Sequence, residues 1–213
     1  MNLNSSNDQH NFWLGSFGDE YIQRTGSLEK LNSIYFNLTG TSLSKIFENF
    51  FSDFDKDMTI LELGCNVGIK LEILKNMGFS NLTGLEMNPK ALNIAKKNNP
   101  EINFINSSIE DFDPNGKTFD LVFTYGVLIH QHPSNLESII SKIIQLSKKF
   151  IFGYEYFSEN LSEIKYRDHP GVMWKQNYSN LFEKSNSNLT ILKEEKIPYK
   201  EKGLFDQAYL FEK

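Results

Sequence analysis

Thr59-Ile60-Leu61-Glu62-Leu63-Gly64-Cys65-Asn66-Val67-Gly68-Ile69-Lys70 places a buried strand, a tight turn and the start of a helix in one short run. About twenty residues on, Leu82-Thr83-Gly84-Leu85-Glu86 repeats the strand and ends it on a carboxylate. A strand, a glycine turn and an acid at the next strand end suit a nucleoside. The glycines let the backbone come close, and the acid accepts hydrogen bonds from ribose hydroxyls. A dinucleotide site would want a third glycine for its pyrophosphate. Here Asn66 stands between Gly64 and Gly68, and asparagine tolerates the left-handed backbone that such a turn needs. No Gly-Lys-Ser/Thr follows, so a Walker loop is excluded.

Glu62 adds a second carboxylate beside the turn. Two acids around a glycine turn favour a cationic, phosphate-free ligand, and S-adenosyl-L-methionine, with its sulfonium and ammonium, has that character. Working outward, the periodicity predicts strands over 58–63, 81–86, 102–105, 119–124, 149–155, 189–196 and 206–212, and helices over 68–77, 88–98 and 134–147. Asn88-Pro89 is a cap and first-turn pair. Strands alternating with helices imply a parallel sheet covered on both faces. The last two strands have no helix between them, so a hairpin joins them and the last strand runs antiparallel. The fold class is thus α/β: a Rossmann-like, seven-stranded, mostly parallel sheet with an antiparallel last strand and an N-terminal helical lid. Residues 1–57 form the tail and lid, and 58–213 the sheet domain, within one compact unit. The lid is read from helices over 17–25 and 28–50, the second broken at Gly40, with Leu31, Ile34 and Tyr35 among the apolar positions; residues 1–11 are expected to be flexible.

Composition narrows the partners. The 213 residues carry 22 basic and 27 acidic side chains, a net charge of −5. That balance argues against nucleic acid, whose binding calls for a basic face. Cys65 is the single cysteine, so neither a disulfide framework nor a cysteine-rich zinc site can form within the chain; it is read as a small residue filling the turn. His130/His132 and His10/His169 lack a third ligand at useful spacing, so catalysis without a metal is expected. The N-terminus lacks the pattern of a signal peptide and no apolar run is long enough to span a bilayer, which predicts a cytoplasmic protein with no membrane partner.

The chain resembles the class I S-adenosylmethionine-dependent methyltransferases over roughly residues 58 to 155. Glu62 through Gly68 is similar to the family's first motif, so the resemblance places Glu62, Gly64, Cys65, Asn66 and Gly68 around the methionine part of the cofactor. Glu86 stands where the family's ribose-binding acid stands, with Met87 beside the adenine. The segment 106–111, including Ser108 and Ile109, resembles the adenine border. Phe119 through Tyr125 resembles the fourth strand, which opens into the active site. A closer resemblance rests on Phe12 through Tyr21, Tyr125 through His130, Tyr154 through Phe157 and Tyr166-Arg167-Asp168-His169. These look like the methylases associated with pseudaminic acid biosynthesis.

Methyl transfer requires mainly that two reactants be aligned and water excluded, with a base only where the acceptor must lose a proton. Tyr125, His130 and Glu155 fall near the carboxyl ends of strands, where ligands gather in open α/β sheets. His130 is the leading base, since imidazole titrates near neutrality; capping the next helix is its bland alternative. Tyr156, Tyr166, Arg167 and His169 are the candidates for holding the acceptor, Arg167 through a two-pronged contact with a carboxylate. Phe17, Tyr21 and Arg24 are expected on the lid above the cofactor, the last two a helical turn apart; packing is the competing role for Phe12, Trp13 and Phe17. The sequence therefore predicts methyl transfer to oxygen or nitrogen of a small polar acceptor, a sugar or nucleotide sugar of surface-glycan (nonulosonic acid) biosynthesis, leaving S-adenosyl-L-homocysteine. The alternatives are another small metabolite, such as an amino acid or carboxylate, or a non-catalytic subunit that binds the cofactor. The aromatic N-terminal helices could supply a homodimer contact.

Overall fold

In a computed structural model, residues 6–201 and 203–213 are described. The chain opens with four helices, α1 (Ser6–Leu14), α2 (Ser16–Thr25), α3 (Leu28–Thr39) and α4 (Leu43–Phe51). Ser27 caps α3 by accepting from the Lys30 N–H, and Gly40, at φ 86°, ends it in a left-handed turn. The flexible stretch expected over 1–11 is corrected from residue 6 onward. Phe12 and Trp13 give α1 an apolar contact with α2, which outweighs its polar composition. Residues 1–5 lie outside the described residues. Ile34, expected to face inward, is exposed, while Leu31 and Tyr35 of the same helix pack on the core.

From Thr59 onward, strand and helix alternate: β1 (Thr59–Leu63), α5 (Ile69–Asn76), β2 (Asn81–Glu86), α6 (Pro89–Asn98), β3 (Asn103–Asn106), β4 (Phe119–Tyr125), α7 (Leu136–Leu146) and β5 (Ser147–Tyr156). The chain then makes a small hairpin, β6 (Ser162–Glu163) with β7 (Trp174–Lys175), before α8 (Tyr178–Ser185), β8 (Thr190–Pro198) and β9 (Phe205–Glu212). The main sheet has seven strands in the order β3-β2-β1-β4-β5-β9-β8, parallel except where β9 pairs antiparallel with β5 and β8. The reversed last strand is as the sequence predicts. Hairpin β6–β7 and helix α8 were not anticipated.

Period-two alternation in the strands divides the core between two faces. Ile60, Phe123 and Phe152 pack with α4 and α5 on one face, while Leu61, Val122 and Ile151 pack with α7 on the other. Leu136, Ile139, Ile140, Ile143 and Ile144 form the buried stripe of α7 at helical spacing. Burying each such side chain stabilises the fold by roughly 1.5–3 kcal/mol. The order reverses between β1 and β4, which leaves a crevice beyond the carboxyl ends of these strands.

Candidate active site

The glycine turn forms as its residues require. Gly64 and Gly68 have φ of 70° and 81°, and Asn66 takes φ 51° between them. Glu86, at the end of β2, braces the turn. Its Oε2 accepts from the Asn66 N–H and its Oε1 from the Asn88 N–H, each at 2.8 Å. Asn88 in turn caps α6, its side chain accepting from the Lys90 N–H at 2.9 Å and the Ala91 N–H at 3.4 Å. One carboxylate thus joins two adjacent strand ends. Burial raises its pKa against the pull of those two N–H donors.

A cavity of about 240 Å³ opens over these strand ends. Of the residues singled out from sequence, Gly64 and Asn66 border it after β1, Glu86, Met87, Ser108 and Ile109 after β2 and β3, and Tyr125, His130, Glu155, Tyr156, Tyr21 and Tyr166 on the side of β4, β5 and the lid. The others stand back from it. Cys65 Sγ packs where a Cβ on Gly84 would fall 2.7 Å away, and Gly68 faces Phe104 and Ala95. Both side-chain positions therefore serve the turn's packing and leave only backbone for a ligand. Burial holds the Cys65 thiol well above its ordinary pKa. Glu62 is fully buried behind Lys70, whose Nζ lies 3.4 Å from its Oε1. Arg167 is exposed at the tip of a tight turn over 166–169, with φ of 47° at Arg167 and 70° at Asp168, and it does not line the cavity. His169 lies behind, 5.1 Å from the Phe12 ring and 5.2 Å from the Phe17 ring.

The lid is an aromatic seam. Phe12 stacks on Phe17 at 4.2 Å, and Trp13 meets Tyr21 at 5.5 Å and His130 at 4.5 Å between ring centroids. Arg24 lies over Phe17 at 5.1 Å and Tyr21 at 5.8 Å, one layer above the cavity. Gly18 lets α2 approach α1; a Cβ there would fall 1.8 Å from the Trp13 carbonyl oxygen. Gln9 Nε2 donates to the Gly171 carbonyl at 3.2 Å, and Asn88 Nδ2 to the Trp13 carbonyl at 3.4 Å. The lid thereby touches both walls of the cleft.

His130 and Glu155 have different geometries. His130 Nδ1 is 2.8 Å from the Val172 carbonyl oxygen. A carbonyl can only accept, so Nδ1 carries the proton and Nε2 keeps its lone pair. Burial lowers the His130 pKa to about 4, with the Val172 contact working the other way. The ring is neutral at pH 7. Glu155, fully buried, accepts from the N–H groups of Val127 and Leu128 at 3.3 and 3.2 Å and of Ile129 at 3.3 Å. Its carboxylate caps the 3₁₀ turn Leu128–His130 and so positions the histidine. Burial pushes the Glu155 carboxyl up to about 7 against those donors.

Sequence reasoning missed Lys70, Trp13, Tyr35 and Tyr154 as cavity residues. Tyr125 stacks on Tyr154 at 4.6 Å and 12°, and Tyr154 Oη donates to Asp206 Oδ2 at 2.7 Å, with Tyr199 Oη donating to the same carboxyl. Asp206 comes from β9, so no local pattern marks the set. Burial raises Asp206 to about 6.

Residues 60–149 match the family model for a methyltransferase domain. An uncharacterised methyltransferase of Synechocystis is 35% identical over 89 residues, 42% of this chain and 42% of that protein, so the chain spans under half the length of this curated relative. Among solved structures, the magnesium protoporphyrin IX methyltransferase of Synechocystis with bound S-adenosylhomocysteine superposes with a TM-score of 0.70 at 14% identity, covering 98% of this chain and 100% of that one. The 1,6-didemethyltoxoflavin-N1-methyltransferase of Burkholderia thailandensis, bound to 1,6-didemethyltoxoflavin and S-adenosylhomocysteine, gives 0.69 at 15% identity over 96% and 86%. The architecture is the Rossmann-like fold that these methyltransferase structures share, and the match over residues 60–149 lies within it.

Proposed function

We propose that the chain is a class I methyltransferase that moves a methyl group from S-adenosyl-L-methionine to a small polar acceptor. The observation that carries this reading is one cavity bounded by the glycine turn and Glu86 on one side and by a neutral His130 on the other. The residues present suit the cofactor: the buried Asn66 Oδ1 and Tyr125 Oη lack hydrogen-bond partners at its edge. When bound, S-adenosylmethionine supplies an electrophilic methyl group on a sulfonium. Glu86 would accept from the ribose hydroxyls with the lone pairs its two backbone donors leave free, and Met87, Ser108 and Ile109 would border the adenine. The lid excludes water from the reacting atoms. His130 Nε2 would take the proton that the acceptor hydroxyl or amine loses on methylation. Glu155 positions His130 and does not itself touch the acceptor.

For the acceptor, the wall of Trp13, Tyr21, Tyr156 and Tyr166 combines flat apolar faces with hydroxyls, and suits a sugar or nucleotide sugar. That reading is supported also by the motif resemblance to methylases associated with pseudaminic acid biosynthesis. The test is calorimetric titration with S-adenosylhomocysteine and NAD, followed by radiolabelled methyl transfer to small-molecule fractions and a nonulosonic-sugar panel. Binding of S-adenosylhomocysteine and label in an anionic sugar support the proposal. Preference for NAD, or label only in protein or nucleic acid, refutes it.

A further inference from the structure

Lys70 occupies a position that the reaction above leaves unexplained. Among the described residues it is the only lysine or arginine lining the cavity, and its side chain is 8% exposed. Its ammonium has three donors. The protein offers it one long contact, 3.4 Å to Glu62 Oε1, and the face of Tyr125 at 5.5 Å from the ring centroid. Neither Glu62 oxygen has a hydrogen-bond partner of good geometry. Burial pushes the Glu62 carboxyl up to about 7, with Lys70 opposing and Glu86 adding to the rise. A buried ammonium beside so weak a counterion is costly unless something else accepts from it.

Its place in the sheet says what that is. The nucleoside side of the cavity lies at the ends of β2 and β3, where Glu86, Met87, Ser108 and Ile109 stand. Lys70 stands across the glycine turn, over β1 and β4, beside Glu62 and Tyr125. Adjacent strands are about 4.8 Å apart, so a ligand anchored by its ribose at Glu86 reaches Lys70 with the arm that leaves its 5′ carbon. In S-adenosylmethionine that arm ends in an amino acid. The wall meeting it presents an ammonium in front of Glu62, opposite in sign to the carboxylate that the sequence suggests. We propose that Lys70 binds the carboxylate of the cofactor's methionine arm, and that Glu62 positions Lys70 from behind. This rests on the methyltransferase reading.

The test is a binding cycle that involves no turnover. S-Adenosylhomocysteine and its decarboxylated analogue, which keeps the amine and the nucleoside, are titrated by calorimetry into wild type, Lys70→Met and Lys70→Arg. Wild type should bind S-adenosylhomocysteine roughly 10- to 100-fold more tightly than the analogue, as expected for hydrogen bonds between charged groups. Lys70→Met should bind the two alike, losing affinity only for the carboxylate-bearing ligand, and Lys70→Arg should restore most of the preference. Equal affinities in wild type overturn the assignment even if Lys70→Met does not fold. So does an undiminished preference in a folded Lys70→Met. If wild type binds neither ligand, the methyltransferase reading itself fails, a result distinct from either of these.

Discussion

Glu155→Gln separates the role of a buried carboxyl from that of its hydrogen bonds. The ordinary pKa of a glutamate carboxyl is 4.5, and in this protein burial takes Glu155 to about 7. A carboxyl whose pKa is raised on folding contributes stability that is fully present below the unfolded value and is lost as pH rises through the folded one. The window is therefore pH 4.5 to just above 7. At ~1.4 kcal/mol per pKa unit, the share of stability lost across it is about 3 kcal/mol. Glutamine cannot titrate. It also sets an amide NH₂ against one of three backbone donors, which lowers stability at every pH. Urea denaturation of both proteins at pH 5, 6, 7 and 8 gives the comparison. The lowered pKa of His130 and the raised ones of Glu62 and Asp206 are common to both and cancel in the difference. The stability gap between wild type and variant should shrink by about 2.5 kcal/mol from pH 5 to pH 8, since the first part of the loss is already complete at pH 5. Parallel profiles would show that Glu155 does not titrate in this window.

Four other outcomes are expected. His130→Ala should lower the methyl-transfer rate by roughly 10²- to 10⁴-fold while leaving S-adenosylhomocysteine affinity within about twofold; single-turnover kinetics and calorimetry check the two halves. Because His130 has a pKa of about 4, the wild-type rate should not fall through a group titrating at its ordinary 6.5, and a pH–rate profile showing that step would contradict the neutral ring. Glu86→Ala releases the Asn66 and Asn88 N–H groups together, so it should reduce both cofactor affinity and thermal stability, the latter by about 2–4 kcal/mol; an unchanged melting temperature would show that the turn holds without it. Gly18→Ala drives a methyl into the Trp13 carbonyl, and should open the lid to proteolysis between α1 and α2 while the sheet keeps its stability. Equal cleavage rates in the two proteins would refute the close packing.

The strands, the glycine turn and the Asn88 cap were legible because each depends on residues a few positions apart. Asn66 at φ 51° and the small-residue role of Cys65 follow from local backbone geometry and turn packing, which composition reports directly. What escaped depends on distant partners. Lys70 reads as the surface of a helix until β1 and β4 bring Glu62 and Tyr125 beneath it. Glu155 reads as a catalytic carboxylate at a strand end until the loop at Val127–Ile129 turns its N–H groups inward. The stretch between β5 and α8 has no sustained period, so neither its short hairpin nor the left-handed Arg167-Asp168 turn could be read from pattern. Tyr154 and Asp206 join across β5 and β9, a pairing only the antiparallel register creates.

The aromatic seam of the lid has a bearing on the order of folding. Gln9 meets Gly171 across 162 positions of chain, and Trp13 meets a histidine on the loop after β4. The entropy of closing so long a loop grows only as its logarithm, about 0.6 kcal/mol for each doubling, but the contacts exist only once both ends are present. During synthesis α1 and α2 emerge before the loops that complete the packing of Phe12, Trp13 and Phe17, those carrying His130, Tyr166 and His169. Helices α1 and α2 are thus among the last elements to dock, although they precede the sheet in the chain.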